Sequence, residues 1–255
     1  MNKLLHLVIA NKARTPKVPG LVVHNAASDT TDVYVYGPIM DDELDAEWVG
    51  GVAGVTLAKE IRGLKGAVNL RINSPGGSVF AAQAVVAAIR DSKANITAHI
   101  DSLAASAATI IASAAPKVVM HEGAMYMIHR GMTFGFGNTN DFASIADLLS
   151  KTDGVIASGY AARTGMPVED VVGLMDAETW FTADEALEHK FIDEVVKPEK
   201  PVKNTWDLSV YAKAPKLEPA PVEPSPEPAA VSASEIEHRE RQGQRLCYLL
   251  RAAPK

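Results

Sequence analysis

Residues 68–89 read VNLRINSPGGSVFAAQAVVAAI, and this stretch decides the fold class. The apolar run from Val68 to Ile72 has the length of a buried strand, and Ala81 to Ile89 has the composition of a helix. Between them lies a turn that contains a proline and two glycines, Pro75-Gly76-Gly77. A strand, a tight turn and a helix in this order predict one unit of an α/β domain.

The same alternation of elements continues on both sides of this unit, from Asp32 to about Val196. Short apolar runs predict strands, and Ala-rich or amphipathic segments predict helices. The predicted strands are Val33 to Tyr36, Ile96 to Ile100, Val118 to Met120 and Tyr126 to Ile128, and the predicted helices are Val52 to Ile61 and Leu103 to Ala114. The series predicts βαβ units around one sheet.

Composition argues against several classes of protein. The net charge of -6 comes without a Lys/Arg block, which argues against nucleic acid or an anionic membrane as the main partner. The single cysteine, Cys247, cannot form an internal disulfide, so we expect a cytoplasmic protein. No stretch approaches the roughly 20 apolar residues of a membrane-spanning helix. We therefore expect a soluble enzyme or binding protein.

Changes in composition and sequence pattern along the chain predict four regions. Residues 1–31, with the apolar run from Leu4 to Ala10, are interpreted as an N-terminal arm, and residues 32–198 as the α/β domain. Residues 199–233 are interpreted as a disordered linker, because Ala214 to Ala230 is rich in proline and glutamate. Residues 234–255 regain helical character and are interpreted as a C-terminal helical segment.

The glycine turn has two interpretations. Glycines allow backbone N–H groups to point at a ligand without a Cβ in the way, as in half of an oxyanion hole. The alternative is an ordinary connection between a strand and a helix.

A second stretch, Asp101-Ser102-Leu103-Ala104-Ala105-Ser106-Ala107-Ala108-Thr109, carries a candidate nucleophile. Ser106 lies near the predicted start of a helix, where unpaired N–H groups and the positive end of the helix dipole favour a developing oxyanion. Serines in Ala-rich helices are more often packing residues, which is the alternative. Ser102 is interpreted as a helix cap.

A third stretch, Met125-Tyr126-Met127-Ile128-His129-Arg130-Gly131, delivers His129 from a strand to a glycine-rich loop. Histidine is the usual general base for a serine, because its pKa lies near neutral pH. The alternative is a surface histidine without a catalytic role. The remaining histidines are scattered without metal-ligand spacing, so we expect neither a metal nor another cofactor.

In this order and spacing, the three stretches resemble the proteolytic subunit of the Clp protease family, from about Val33 to Val196. The closing segments Trp180-Phe181-Thr182-Ala183-Asp184-Glu185-Ala186 and Lys190-Phe191-Ile192-Asp193 extend the resemblance. It implies the Clp protease/crotonase-like superfold, with a handle helix at about Asp141 to Thr164 that contacts neighbouring subunits in a ring.

The resemblance also implies site residues. It makes Ser106 the nucleophile and His129 the base, with oxyanion-hole N–H groups on Gly77 and Ala107. The family's aspartate falls on Glu178 in this chain, and a glutamate can orient a histidine by the same carboxylate hydrogen bond. Asp176, two residues earlier, is the alternative third member of the triad.

The resemblance implies a serine endopeptidase whose partners are protein substrates. The sequences Ala-Ala-Ser-Ala-Ala and Glu-Thr-Trp and the Pro-rich tail are most similar to Clp-type head maturation proteases of tailed phages. That implies ATP-independent cleavage of a scaffold or capsid precursor in the host cytoplasm or inside the procapsid. One alternative is a housekeeping Clp subunit that works with an ATPase; another is a non-proteolytic crotonase-like or structural ring protein.

Overall fold

The sheet is built from the apolar runs of the sequence, extended at most of their ends. The computed structural model describes residue 7 and residues 10–16, 21–26, 28–197 and 206–215. The strands are β1 (Val22–Asn25), β2 (Thr30–Tyr36), β3 (Ile39–Met40), β4 (Val52–Ala53), β5 (Ala67–Ser74), β6 (Asn95–Ala105), β7 (Lys117–His121), β8 (Met125–Ile128), β9 (Thr179–Phe181) and β10 (Glu194–Val196). The helices are α1 (Glu43–Val49), α2 (Gly54–Gly63), α3 (Val79–Asp91), α4 (Ala107–Ala114), α5 (Thr139–Thr164), α6 (Val168–Asp176) and α7 (Ala183–Glu188).

The main sheet has the order β1-β2-β5-β6-β7-β10, and β3 and β4 form a separate pair. Strands β2, β5, β6, β7 and β10 are parallel, whereas β1 is antiparallel to β2. The long strand β6 has two successive partners on one side. Its first half pairs with β7 and its end, from Leu103 to Ala105, pairs with β8. Strand β9 then adds antiparallel to β8. The carboxyl ends of β5, β6 and β8 therefore meet at one edge of the sheet.

One face of the sheet is covered by helices α2, α3 and α4. Alternate residues of each strand point to this face because side chains in a strand alternate between the two sides. The buried side chains of the central strands on this face are Val33, Val35, Val68, Leu70, Ile72, Ile96, Ala98 and Ile100. They pack against Leu57, Ile61, Val85, Ala88 and Ile111 of the helices. The apolar residues that alternate along the strands thus form the core together with those of the helices.

The opposite face of the central strands is polar. Arg71 of β5 forms an ion pair with Asp101 of β6 at 2.5 Å, and the hydroxyl of Tyr36 donates to the same carboxylate at 2.8 Å. Burial raises the pKa of Asp101, while the neighbouring Arg71 acts in the opposite direction. This network ties three parallel strands together just before β6 leaves β7 for β8.

The predicted helix from Leu103 to Ala114 was wrong at its start. Leu103, Ala104 and Ala105 continue β6, and α4 begins only at Ala107. Small apolar residues suit a strand or a helix equally, and here pairing with β8 decides between them. Ser102 consequently lies inside a strand and is not a helix cap; Ser106 occupies that position.

Two boundaries of the predicted regions also differ. Strand β1 lies within the predicted N-terminal arm, and it pairs with β2 through four residue pairs. Within the predicted linker, residues 206–215 pack against the domain, because Trp206, Leu208, Val210 and Tyr211 supply apolar side chains that are buried there. The rest of the predicted linker from residue 216 onward, and the predicted C-terminal helical segment, lie outside the described residues.

The predicted handle helix is α5, which starts two residues earlier than expected. Asn138 and Asp141 form a capping box at its start, and Gly165 ends it in the left-handed conformation. Among the helices that the structure describes, none has both the length and the apolar character needed to cross a membrane.

Candidate active site

Ser106 occupies the single residue between β6 and α4. Its backbone has φ 54° and ψ -122°, a conformation that residues other than glycine rarely adopt and that costs about 1–3 kcal/mol. Two hydrogen bonds hold it there: its N–H donates to Met127 O at 2.9 Å, and Thr109 N donates to its carbonyl at 2.9 Å. The sharp strand-to-helix turn presents Oγ at the sheet edge, as nucleophile elbows do.

His129 follows directly after β8, the strand that pairs with the end of β6. Its Nε2 lies 2.7 Å from Oγ of Ser106, a hydrogen-bond distance that allows direct proton transfer. Both side chains are half-buried and line the cleft described below. The structure therefore brings together the two residues that the sequence singled out as nucleophile and base.

The glycine turn packs against the nucleophile from the β5 side. Ile39 N donates to Gly76 O at 2.9 Å, and Ser78 N donates to Ile39 O at 2.8 Å, so β3 clamps the turn. A Cβ at Gly76 would lie 2.8 Å from Cβ of Ser106, and one at Gly77 would lie 2.0 Å from Ile39 O. Only glycine fits at either position, and both have positive φ.

Ala107, the other predicted oxyanion-hole residue, is the first residue of α4. The N–H of a first helical residue has no acceptor within its own helix, which leaves it available for a ligand. Gly77 and Ala107 thus lie in the turn and the helix start that flank Ser106. Their roles as oxyanion donors stay a prediction.

Gly76→Ala tests how tightly the turn is fitted to the nucleophile. We expect both the melting temperature and kcat/KM to fall, because the new Cβ would push on Ser106 and on Ala105 O, each 2.8 Å away. A displacement of about 1 Å at a reacting group costs on the order of 100-fold in rate.

The matched control is Gly63→Ala at the end of α2, where a Cβ meets nothing within 4 Å. We expect this variant to keep full activity. Equal activity of the Gly76→Ala and Gly63→Ala proteins would show that the turn does not position Ser106.

Glu178, the predicted third member of the triad, lies beside β9. In the antiparallel register of β8 and β9, Ile128 is opposite Thr179, so the next pair would be His129 and Glu178. Its carboxylate, however, accepts hydrogen bonds from Ala212 N at 2.8 Å, from Lys213 N at 2.6 Å and from Trp180 Nε1 at 3.3 Å. The register favours Glu178, and its role as the residue that orients His129 stays a prediction.

Asp176, the alternative, is exposed and forms an ion pair with Arg130. The hydrogen bond from Arg130 lowers the pKa of this carboxyl group. Arg130 also contacts Asp153 of α5 at 3.3 Å, and Asp153 accepts from Gly131 N at 2.7 Å. These contacts fix the start of the loop after His129, which is a structural role for Asp176.

Three residues near the site were missed by the sequence analysis. Thr109 Oγ1 donates to Ser106 O at 2.5 Å and shares a 2.6 Å hydrogen bond with the buried hydroxyl of Tyr160. The ring of Tyr211 stands edge-on to that of His129, with centroids 5.3 Å apart. No local sequence pattern indicates that Thr109 and Tyr160 contact the site. For Tyr211, the apolar and aromatic cluster around it in a Pro-rich region was an available signal.

A cleft of about 230 Å³ opens at Ser106 and His129. Its walls come from the start of α3, the loop after His129, α5, and residues 210–211. The apolar side chains that line it are Leu7, Val79, Phe80, Met132, Ile145, Leu148, Leu149, Val210 and Tyr211. Such a lining suits apolar side chains of a peptide. Among the described residues no cluster of three or more His, Cys, Asp or Glu side chains is suited to a metal ion.

A hydrogen-bonded serine and histidine beside a glycine turn, at the carboxyl ends of parallel strands, is the arrangement of a serine hydrolase. The model of the Clp protease family matches residues 23–199, and the chain belongs to this family of serine peptidases. The chain is similar to the ATP-dependent Clp protease proteolytic subunits of Streptococcus pneumoniae strains Hungary19A-6 and CGSP14. It is 37% identical to each over 133 residues, which cover 51% of this chain and 68% of the relative.

Proposed function

We propose that this peptidase is an ATP-independent endopeptidase in which Ser106 is the nucleophile and His129 the general base. The observation that carries the proposal is the 2.7 Å distance between Nε2 of His129 and Oγ of Ser106. The pair needs no metal or cofactor, because the imidazole alone can activate the hydroxyl.

In the proposed mechanism Oγ of Ser106 attacks the peptide carbonyl carbon while Nε2 of His129 takes the hydroxyl proton. The N–H groups of Gly77 and Ala107 donate to the oxyanion of the tetrahedral intermediate. His129 then gives the proton to the leaving amine, and an acyl-enzyme remains on Ser106. Water, deprotonated by His129, hydrolyses this ester and restores the hydroxyl. Glu178 stabilises the imidazolium in both halves of the reaction.

For the substrate, we propose a scaffold or capsid precursor protein, cleaved in the host cytoplasm or within the procapsid. Support comes from the Ala-Ala-Ser-Ala-Ala and Glu-Thr-Trp sequences, which resemble Clp-type head maturation proteases. The second candidate is a proteolytic subunit fed by an ATPase, and the names of the similar relatives support it.

An activity-based probe tests the proposed nucleophile. A fluorophosphonate should label the purified protein at Ser106, and Ser106→Ala should remove the label. No labelling of the wild type would instead favour a non-proteolytic crotonase-like or structural protein.

Cleavage of a protein substrate separates the two peptidase candidates. We expect the purified chain to cleave an unfolded protein, such as casein, at the same rate with and without a Clp-type ATPase and ATP. Cleavage that requires the ATPase would favour the second candidate.

We also propose a homo-oligomeric ring, with α5 as a contact between subunits. Buried and exposed apolar side chains both occur along this helix. Ile156 and Tyr160 are buried in the core, whereas Phe142 and Val155 expose 53% and 59% of their surface. Exposed large apolar side chains on one helix are typical of a protein interface, and closed symmetry is the expected form.

Phe142→Asp is the variant that tests this contact. We expect light scattering to give several times 27.1 kDa for the wild type and a lower mass for the variant, because a charge in an apolar interface is unfavourable. Leu148 is less suitable, since it also lines the cleft. Ala143→Asp adds the same charge at the next exposed residue and should keep the wild-type mass. A wild type that is fully active as a monomer would contradict the proposal.

A further inference from the structure

Residues 206–215, called the cover segment below, lie over the catalytic pair. They follow the part of the chain that matches the family, which ends at residue 199. Trp206, Leu208, Val210 and Tyr211 are each exposed by 6% or less. They form an apolar cluster with Leu103 and Ala105 of β6 and Met127 of β8, the strand ends that carry Ser106 and His129.

Tyr211 is the residue of the cover segment that reaches the reacting groups. Its ring packs edge-on against His129 at 5.3 Å and against Trp180 at 5.8 Å, and its hydroxyl donates to Pro75 O at 2.6 Å. Burial raises the pKa of this phenol, and a hydrogen bond with Ser106 partly offsets the effect. Val210 and Tyr211 together form one wall of the cleft at the nucleophile.

Polar contacts hold the cover segment at both ends. At its start, Trp206 Nε1 donates to Asn73 Oδ1 at 2.6 Å, and Asp207 N donates to Asn11 Oδ1 at 2.6 Å. At its end, the carboxylate of Glu178 accepts from the N–H groups of Ala212 and Lys213. Glu178, the predicted third member of the triad, is thus hydrogen-bonded to the cover segment.

The cover segment is not bound as a substrate would be. It has no strand pairing and turns at Leu208 to Tyr211, where Tyr211 N donates to Leu208 O at 3.0 Å. Hydrolysis needs a carbonyl carbon at about 3–3.5 Å from the nucleophile. What the segment brings to Ser106 is a phenol, which Ser106 cannot cleave.

We propose that the cover segment is an autoinhibitory element, which must leave the site before a substrate peptide can bind and before Glu178 can orient His129. The inference rests on the proposed function. It assigns two states to Glu178: a covered state, in which the carboxylate holds Ala212 and Lys213, and an open state, in which it turns to the base. A substrate that reacts only with the open state reacts more slowly by the fraction of open molecules.

Tyr211→Ala in the full chain tests the cover. We expect the second-order rate of fluorophosphonate labelling at Ser106 and the rate of peptide hydrolysis to rise by about tenfold or more, as for a site that is open in fewer than about one molecule in ten. Tyr211→Phe keeps the ring but loses the hydrogen bond to Pro75 O, and should give a smaller rise. Tyr34→Ala, on the far polar face, is the control and should leave both rates unchanged.

A second variant and a peptide guard against a folding defect. Ala212→Pro, at an exposed residue, removes an N–H that donates a hydrogen bond to Glu178. It should also raise both rates. A synthetic peptide of residues 206–215 should inhibit the Tyr211→Ala protein competitively.

The outcomes separate the two proposals. If the wild type is labelled and both Tyr211→Ala and Ala212→Pro are labelled at the same rate or more slowly, the cover is overturned and the proposed nucleophile stays intact. Absence of labelling in the wild type and in both variants would overturn the proposed function and the cover together. Faster labelling in both variants, with inhibition by the peptide, supports the cover.

Discussion

Ser106→Ala and His129→Ala are each expected to lower kcat/KM for a peptide by roughly 10⁴-fold to 10⁶-fold. The reason is that the two side chains share one proton across a 2.7 Å hydrogen bond, so neither acts without the other. The double variant should therefore be no worse than either single variant. Steady-state hydrolysis of a fluorogenic peptide measures all three, and circular dichroism checks that the fold is kept.

Ser102→Ala provides the matched control, since it removes a hydroxyl four residues before the nucleophile. Ser102 is buried within β6, so the change should cost about 1 kcal/mol of stability and leave turnover near that of the wild type. A double variant far less active than both single variants would mean that Ser106 and His129 do not work as one unit.

Glu178→Gln is expected to have the second largest effect, a loss of roughly 10³-fold to 10⁴-fold in kcat, because the imidazolium would lose its counter-charge. Asp176→Asn should lower kcat much less, since Asp176 is exposed and paired with Arg130. Peptide hydrolysis should be measured for both variants in two backgrounds, the otherwise wild-type chain and the Tyr211→Ala chain. The second background matters because Glu178 also binds the cover segment.

The ranking of these two carboxylates is the informative result. A larger loss for Asp176→Asn would move the triad to Asp176 and contradict the assignment of Glu178 that we draw from the β8–β9 register. Similar small losses for both would mean that the pair of Ser106 and His129 functions without a carboxylate from this segment.

Much of the sheet, and the candidate pair of Ser106 and His129, could be predicted from the sequence because their signals are local. The buried strands are short apolar runs, and the helix α3 follows a Pro-Gly-Gly turn. The start of α4 could not be predicted, because Leu103 to Ala105 fit a strand as well as a helix and only pairing with β8 distinguishes the two. That pairing is a tertiary contact that local sequence does not encode.

The cover segment was missed for a different physical reason. The region around it is rich in proline and glutamate, and this composition predicts disorder when averaged over tens of residues. Four apolar side chains within six residues, from Trp206 to Tyr211, are enough to dock on a surface that the sheet leaves open. The partner of Glu178 was hidden as well, since it lies 34 residues away in the chain.

The strand that follows Glu178 has consequences for how the enzyme loses activity on heating. Strand β9 is three residues long and pairs only with β8 among the described residues, whereas β6, which leads to Ser106, is central. Short edge strands open locally at a lower free energy than central ones. We expect backbone amides of Thr179 to Phe181 to exchange with deuterium faster than those of Leu70 to Ile72, and turnover to decline below the temperature of global unfolding. Heat inactivation would then begin as a reversible detachment of Glu178, the carboxylate proposed to orient His129, with Ser106 and His129 still in place.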